Sequence, residues 1–215
     1  MRCYAAELLG TYALVFVGTG AIVVNAQTGA LGHFGVASTF GLIVLAMIYA
    51  FGDLSGAHLN PAVTLGFVAA KRFPAKQAVP YIAAQLGGAM LASLTLHLLF
   101  PDSTTLGATL PAGSETQSFV LEVILTYFLM LVILQVSHGS KETGLMAGIA
   151  IGAVVGLEAL FAGPICGASM NPARSIAPAL ISGELRSLWI YIVAPVLGAL
   201  AATGTWYWLR KTPKA

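Results

Sequence analysis

The chain has 215 residues, 58% hydrophobic and 8% charged, against about 25% charged in an ordinary soluble domain, and its mean hydropathy is +0.87. So few charges cannot cover a soluble fold. The net charge of +2 forms no basic stripe with interleaved aromatics, so a nucleic-acid partner is excluded, and a lipid bilayer is left as the natural surroundings.

Six apolar runs follow in order, at 5–24, 34–50, 78–100, 119–136, 144–161 and 188–209. Each approaches or exceeds the roughly 20 residues that cross hydrocarbon as a helix, which predicts six transmembrane spans. The first run is longer than a signal-peptide core and has only Arg2 ahead of it, so it is read as a span.

Inside the first run, Glu7-Leu8-Leu9-Gly10-Thr11-Tyr12 places a carboxylate in a membrane segment, where ionisable groups are costly and mark function. After the second run comes Gly56-Ala57-His58-Leu59-Asn60-Pro61-Ala62, then an apolar stretch at 63–72. Asn is a preferred N-cap and Pro a preferred first helical residue. About ten residues cover roughly 15 Å, half the hydrocarbon thickness, so this is predicted to be a re-entrant half-helix.

The polar segment at 101–117 carries no Lys or Arg and reads as a linker. Beyond it the pattern repeats. Glu122-Val123-Ile124-Leu125-Thr126-Tyr127 matches the opening of the first half, and Gly167-Ala168-Ser169-Met170-Asn171-Pro172-Ala173 matches the box at 56–62, with a second short stretch at 174–183. The matching residues are Glu, Thr, Asn and Pro, which apolar composition does not supply by chance. With three spans in each half the repeat must be inverted, its site near the midplane: one domain over 1–215, with repeats at about 1–100 and 117–209.

Glu7 and Glu122 are expected to accept N–H groups of the re-entrant loops, which must be satisfied away from water. His58 is read as a hydrogen-bonding partner that fastens its loop. Glu158 is expected to hydrogen-bond the loop before Asn171. Gly144, Gly148, Gly152 and Gly156 recur every four residues on the fifth span, a device for close helix packing in lipid, within the chain first and between copies second.

Cytoplasmic loops retain positive charge. With the amino terminus inside, inner segments hold Arg2, Lys71, Arg72, Lys76, Lys141, Arg210, Lys211 and Lys214, and outer loops only Arg174 and Arg186, so both termini are predicted to be cytoplasmic. Cys3 and Cys166 then fall on opposite sides and cannot bridge. His33, His58, His97 and His138 have no metal-ligand spacing. No nucleophile elbow, P-loop or HExxH helix supports an enzyme.

Two facing helix N-termini carry about half a positive charge each, together with unpaired N–H groups. The Asn side chains would cap with their oxygens and offer their NH2 groups to the lumen, turning a passing water's oxygen toward them. Neutral molecules with lone pairs would pass and ions would not.

The paired boxes, Ser55-Gly56-Ala57-His58-Leu59-Asn60-Pro61-Ala62-Val63-Thr64 and Asn171-Pro172-Ala173-Arg174-Ser175, resemble the aquaporin, or major intrinsic protein, family over 7–195. The resemblance implies an all-α membrane protein. It would be a right-handed bundle of six transmembrane helices plus two re-entrant half-helices, one pore per chain, assembled as a homotetramer in the plasma membrane. It also implies a passive channel for water and small uncharged solutes, with no cofactor and no metal.

By the same resemblance Arg174 belongs to the narrowest constriction, with Phe40, Ala159 and Ala168. Water-selective members typically carry His where Ala159 stands. With two alanines the ring should be wider and less polar, so that a polyol could lay its carbons on Phe40 and its hydroxyls toward Arg174. Phe161-Ala162-Gly163-Pro164 and Tyr191-Ile192-Val193-Ala194-Pro195 look like the nodulin-26-like branch, whose members pass glycerol and metalloid hydroxides such as arsenous, boric or silicic acid. Bacterial glycerol facilitators usually have Asp where Ser175 stands and a basic residue where Ala179 stands, so this chain departs from them. A strictly water-selective channel, a secondary transporter and a structural junction protein are the rival readings.

Overall fold

The computed structural model describes residues 1–138 and 144–211. Lys141, Lys214 and the side chain of Lys211, on which the orientation reading partly rests, lie outside the described residues. In chain order the helices are α1 (Arg2–Thr28), α2 (Gly32–Ser55), α3 (Pro61–Ala69), α4 (Ala75–Leu99), α5 (Glu115–Val136), α6 (Ala147–Cys166), α7 (Pro172–Ser182) and α8 (Ile190–Lys211). Six of them are long and apolar enough to cross a membrane, and α3 and α7 are not.

The polarity is the reverse of a soluble bundle. Phe34, Leu42, Val79, Leu98, Phe161 and Trp208 face outward, whereas Glu7, Thr11, Gln85, Glu122, Thr126 and Arg174 are buried. Lipid solvates the apolar face and cannot satisfy polar groups, so these turn inward to one another.

The fifth span begins later than its apolar run, and it also ends later because Gly163-Pro164 does not stop it. A proline inside a helix leaves the carbonyl four residues earlier without its N–H. That carbonyl is Leu160 O, and it accepts from His33 Nε2 at 2.7 Å. The helix therefore continues to Cys166 and closes on Gly167 in the left-handed region.

The two halves pack alike: α1 lies against α2 and α4, and α5 against α6 and α8. Each half-helix rests on the last long helix of the other half, α3 on α8 and α7 on α4. At the crossings Gly88 meets the carbonyl of Leu8, and Gly198 meets that of Val123. These glycines expose a further sequence match, Tyr81-Ile82 through Gly88-Ala89 with Tyr191-Ile192 through Gly198-Ala199. Of the glycine stripe, Gly148, Gly152 and Gly156 receive Tyr49, Leu45 and Gly41 of α2, which is packing within the chain.

Candidate pore

The site begins where α2 and α6 end. Gly56 (φ 84), Ala57 (φ 46) and Leu59 (φ 51) repeat almost angle for angle in Gly167 (φ 85), Ala168 (φ 42) and Met170 (φ 53). For the four non-glycine residues this left-handed backbone costs on the order of 1 kcal/mol or more each and persists only if its surroundings hold it.

Two carboxylates do so. Glu7 accepts His58 N (2.9 Å) and Ser55 Oγ (2.7 Å) on Oε1, and Leu59 N and Gln85 Nε2 (both 2.7 Å) on Oε2. Glu122 accepts Ser169 N on Oε1 and Met170 N on Oε2, each at 2.8 Å. In a trans peptide the carbonyl points opposite to the next N–H. With these N–H groups aimed at buried glutamates, the carbonyls of Ala57, His58, Ala168 and Ser169 turn the other way, toward the cavity their loops line.

Each loop ends in an N-cap. Asn60 Oδ1 accepts Ala62 N, and Asn171 Oδ1 accepts Ala173 N and Arg174 N. The side-chain NH2 groups are not wholly free: Asn60 Nδ2 donates to Met170 O (2.7 Å) and Asn171 Nδ2 to Leu59 O (2.9 Å). One hydrogen of each amide thus ties the two loops together, and the other remains for the cavity that both residues border. The positive ends of α3 and α7 are held face to face.

His58 Nδ1 lies 3.1 Å from Thr64 Oγ1, and its ring stacks on Phe67 with centroids 4.6 Å apart. Thr64 spends its one hydroxyl hydrogen on Asn60 O, so it accepts from His58, which assigns the proton to Nδ1. In the second half Ser169 Oγ donates to Asn171 O, which leaves Ser175 to donate to Ser169 and Thr109 to donate to Ser175. Thr109 belongs to the segment expected to be a mere linker; instead that segment folds into the mouth and buries Leu106.

Arg174 is 2% exposed. Its Nη1 donates to Gly107 O at 2.8 Å, and its guanidinium carbon stands 5.1 Å from the centroid of the Phe40 ring, a cation–π distance. It is therefore not a surface loop charge. Phe40, Ala159, Ala168 and Arg174 border one cavity of about 410 Å³, which extends to Tyr49, Asp53 and Leu145 at its other end. Glu158 does not reach the loop before Asn171. Its Oε2 is buried without a partner, and the Ser169 and Met170 N–H groups go to Glu122.

Gln85 is a further residue of the site, and a buried amide in a span is itself a signal. It donates to both Glu7 and Thr64, and the matching place in the second half is Pro195, so the repeat gives no hint of it.

A family model described as Major intrinsic protein matches residues 1–207. Aquaporin NIP1-1 of Oryza sativa subsp. japonica is 51% identical over 211 residues, covering 97% of this chain and 74% of that protein. Aquaporin NIP3-1 of Arabidopsis thaliana is 49% identical over 218 residues, covering 97% and 68%. Among solved structures, the aquaglyceroporin from Plasmodium falciparum superposes with a TM-score of 0.84 at 30% identity, covering 95% of this chain and 94% of that one.

Proposed function

The chain belongs to the major intrinsic protein family, and from that premise we propose that its cavity is a passive pore for water, glycerol and small uncharged hydroxides such as arsenous, boric or silicic acid. Ions and protons are excluded. The observation that carries the reading is the wall around Arg174. The side chains of Ala159 and Ala168 are only methyl groups, in a lumen where Phe40 supplies an apolar face and Arg174 a donor. A small polyol needs that combination, carbons against the ring and hydroxyls toward the guanidinium.

Coupled transport would need carboxylates free to bind a driving ion. Glu7 and Glu122 instead have both oxygens engaged in holding the loops, and Glu158, whose Oε2 has no partner, is not among the residues that line the cavity. The reading extends to a homotetramer in the plasma membrane with both termini in the cytoplasm. In support of that orientation, Arg72 and Arg210 gather on Trp206, and Arg72 Nη2 donates to His138 Nε2 at 3.0 Å. The ends of α3 and α8 thus form one basic face.

The test is stopped-flow light scattering on proteoliposomes under osmotic, glycerol and arsenous acid gradients. All three permeabilities should rise with protein content and need no ion gradient. Flux that requires an ion gradient would establish a transporter, and flux no faster than in protein-free vesicles would establish a structural protein.

A further inference from the structure

We infer that Gly18 on α1 is a positioning residue for the constriction, setting its bore from behind by giving the Phe40 ring a seat that no larger residue leaves open. The inference rests on the channel reading above.

Gly18 is buried on α1 and lies against the edge of the Phe40 ring. A Cβ at Gly18 would stand closer than 3.0 Å to Cδ1, Cε1 and Cζ of that ring. Ordinary contact between carbons is about 4 Å, so the ring would have to move by roughly 1–2 Å. It cannot retreat into α1. The open direction is the cavity it borders, with Arg174 on its face.

The frame against which the ring would move is held by the same turn of α1. Thr19, fully buried, donates its hydroxyl to Val15 O at 2.6 Å and underlies Gly107. Gly107 has φ 72, and a Cβ there would meet Thr19 Cβ and Thr19 O at 2.9 Å, so the peptide is fitted to α1 at that point. Its carbonyl takes the Arg174 guanidinium. One turn of α1 therefore backs both partners of Arg174: the aromatic wall through Gly18 and the anchoring carbonyl through Thr19. With the arginine fixed, any advance of Phe40 is subtracted from the lumen.

Gly18→Ala should therefore lower the glycerol-to-water permeability ratio by about tenfold, the change that ~1.4 kcal/mol of added barrier produces. Both permeabilities are measured by stopped flow at matched protein content. Phe40→Ala and the double variant Gly18→Ala/Phe40→Ala complete the cycle. Once the ring is gone the added methyl has nothing to push, so the double variant should match Phe40→Ala. An unchanged ratio in Gly18→Ala, or an equal drop in the Phe40→Ala background, overturns the inference. Should Gly18→Ala fail to assemble, recovery of assembly in the double variant supports the seat, and failure of both overturns it. Wild-type protein that conducts neither solute would instead sink the channel reading itself.

Discussion

At position 159 the wall of the lumen is one methyl group, and everything specific about the proposed solute range follows from what is not there. Ala159→His would bring a ring into the cavity across from Phe40 and Arg174, which share it. Glycerol would meet a steric barrier while water, one molecule wide, would find an additional donor and acceptor. The glycerol-to-water ratio should fall by roughly tenfold for each 1.4 kcal/mol of new barrier, and an unchanged ratio would remove residue 159 from the constriction. Cys166 is a second case decided at this scale. Mercurials block many members of the family through a Cys at the position of Ala168, but here the thiol is fully buried, with Sγ donating to Ala162 O. Water flux through intact proteoliposomes should therefore survive a mercurial; prompt block that Cys166→Ser abolishes would show the thiol to be reachable from the pore.

Among the elements, the half-helices are built by repetition but fastened unequally. Glu7 gathers four donors, including Gln85 Nε2, whereas Glu122 takes the two backbone N–H groups of its loop. A glutamine keeps one acceptor oxygen and turns an NH2 on the remaining donors, and each buried donor left unpaired costs about 1–3 kcal/mol. Glu7→Gln strands up to two donors and Glu122→Gln one. Thermal unfolding in detergent should thus show the larger drop in Tm for Glu7→Gln, and equal drops would mean that the side-chain donors Ser55 and Gln85 add nothing. The same asymmetry explains what could be read from sequence. The six spans and the short capped helices were legible because length, apolar runs and Asn-Pro pairs have direct physical meaning in a membrane. The glutamates and both boxes stood out because each has a twin. Gln85 has Pro195 as its counterpart and so has no twin to mark it. Gly18 and Gly107 could not be read at all, since a glycine carries no sign of the distant Phe40 or Thr19 it will meet. Nor could the burial of Leu106 be read, hidden in a polar loop.

At the scale of the whole molecule the proposed pore has to pass water without passing protons, although a file of waters is a path for both. The two helix starts carry about half a positive charge each. They are held face to face by Asn60 Nδ2 on Met170 O and Asn171 Nδ2 on Leu59 O, so the equivalent of roughly one positive charge sits at the middle of the path. A water there turns its oxygen to the remaining amide hydrogens, and it can no longer both receive and release a proton along the file. With a pH dye inside and the potential clamped by valinomycin, proteoliposomes should raise water flux while proton flux stays at the protein-free level. Asn171→Asp is the informative variant. It keeps an oxygen for Ala173 N and Arg174 N but exchanges the bond to Leu59 O for a negative charge where the two dipoles meet. A cation or proton leak should then appear with water flux retained. If wild-type protein leaked protons in proportion to its content, or if Asn171→Asp stayed as tight as wild type while still conducting water, the paired helix ends would not be what excludes charge.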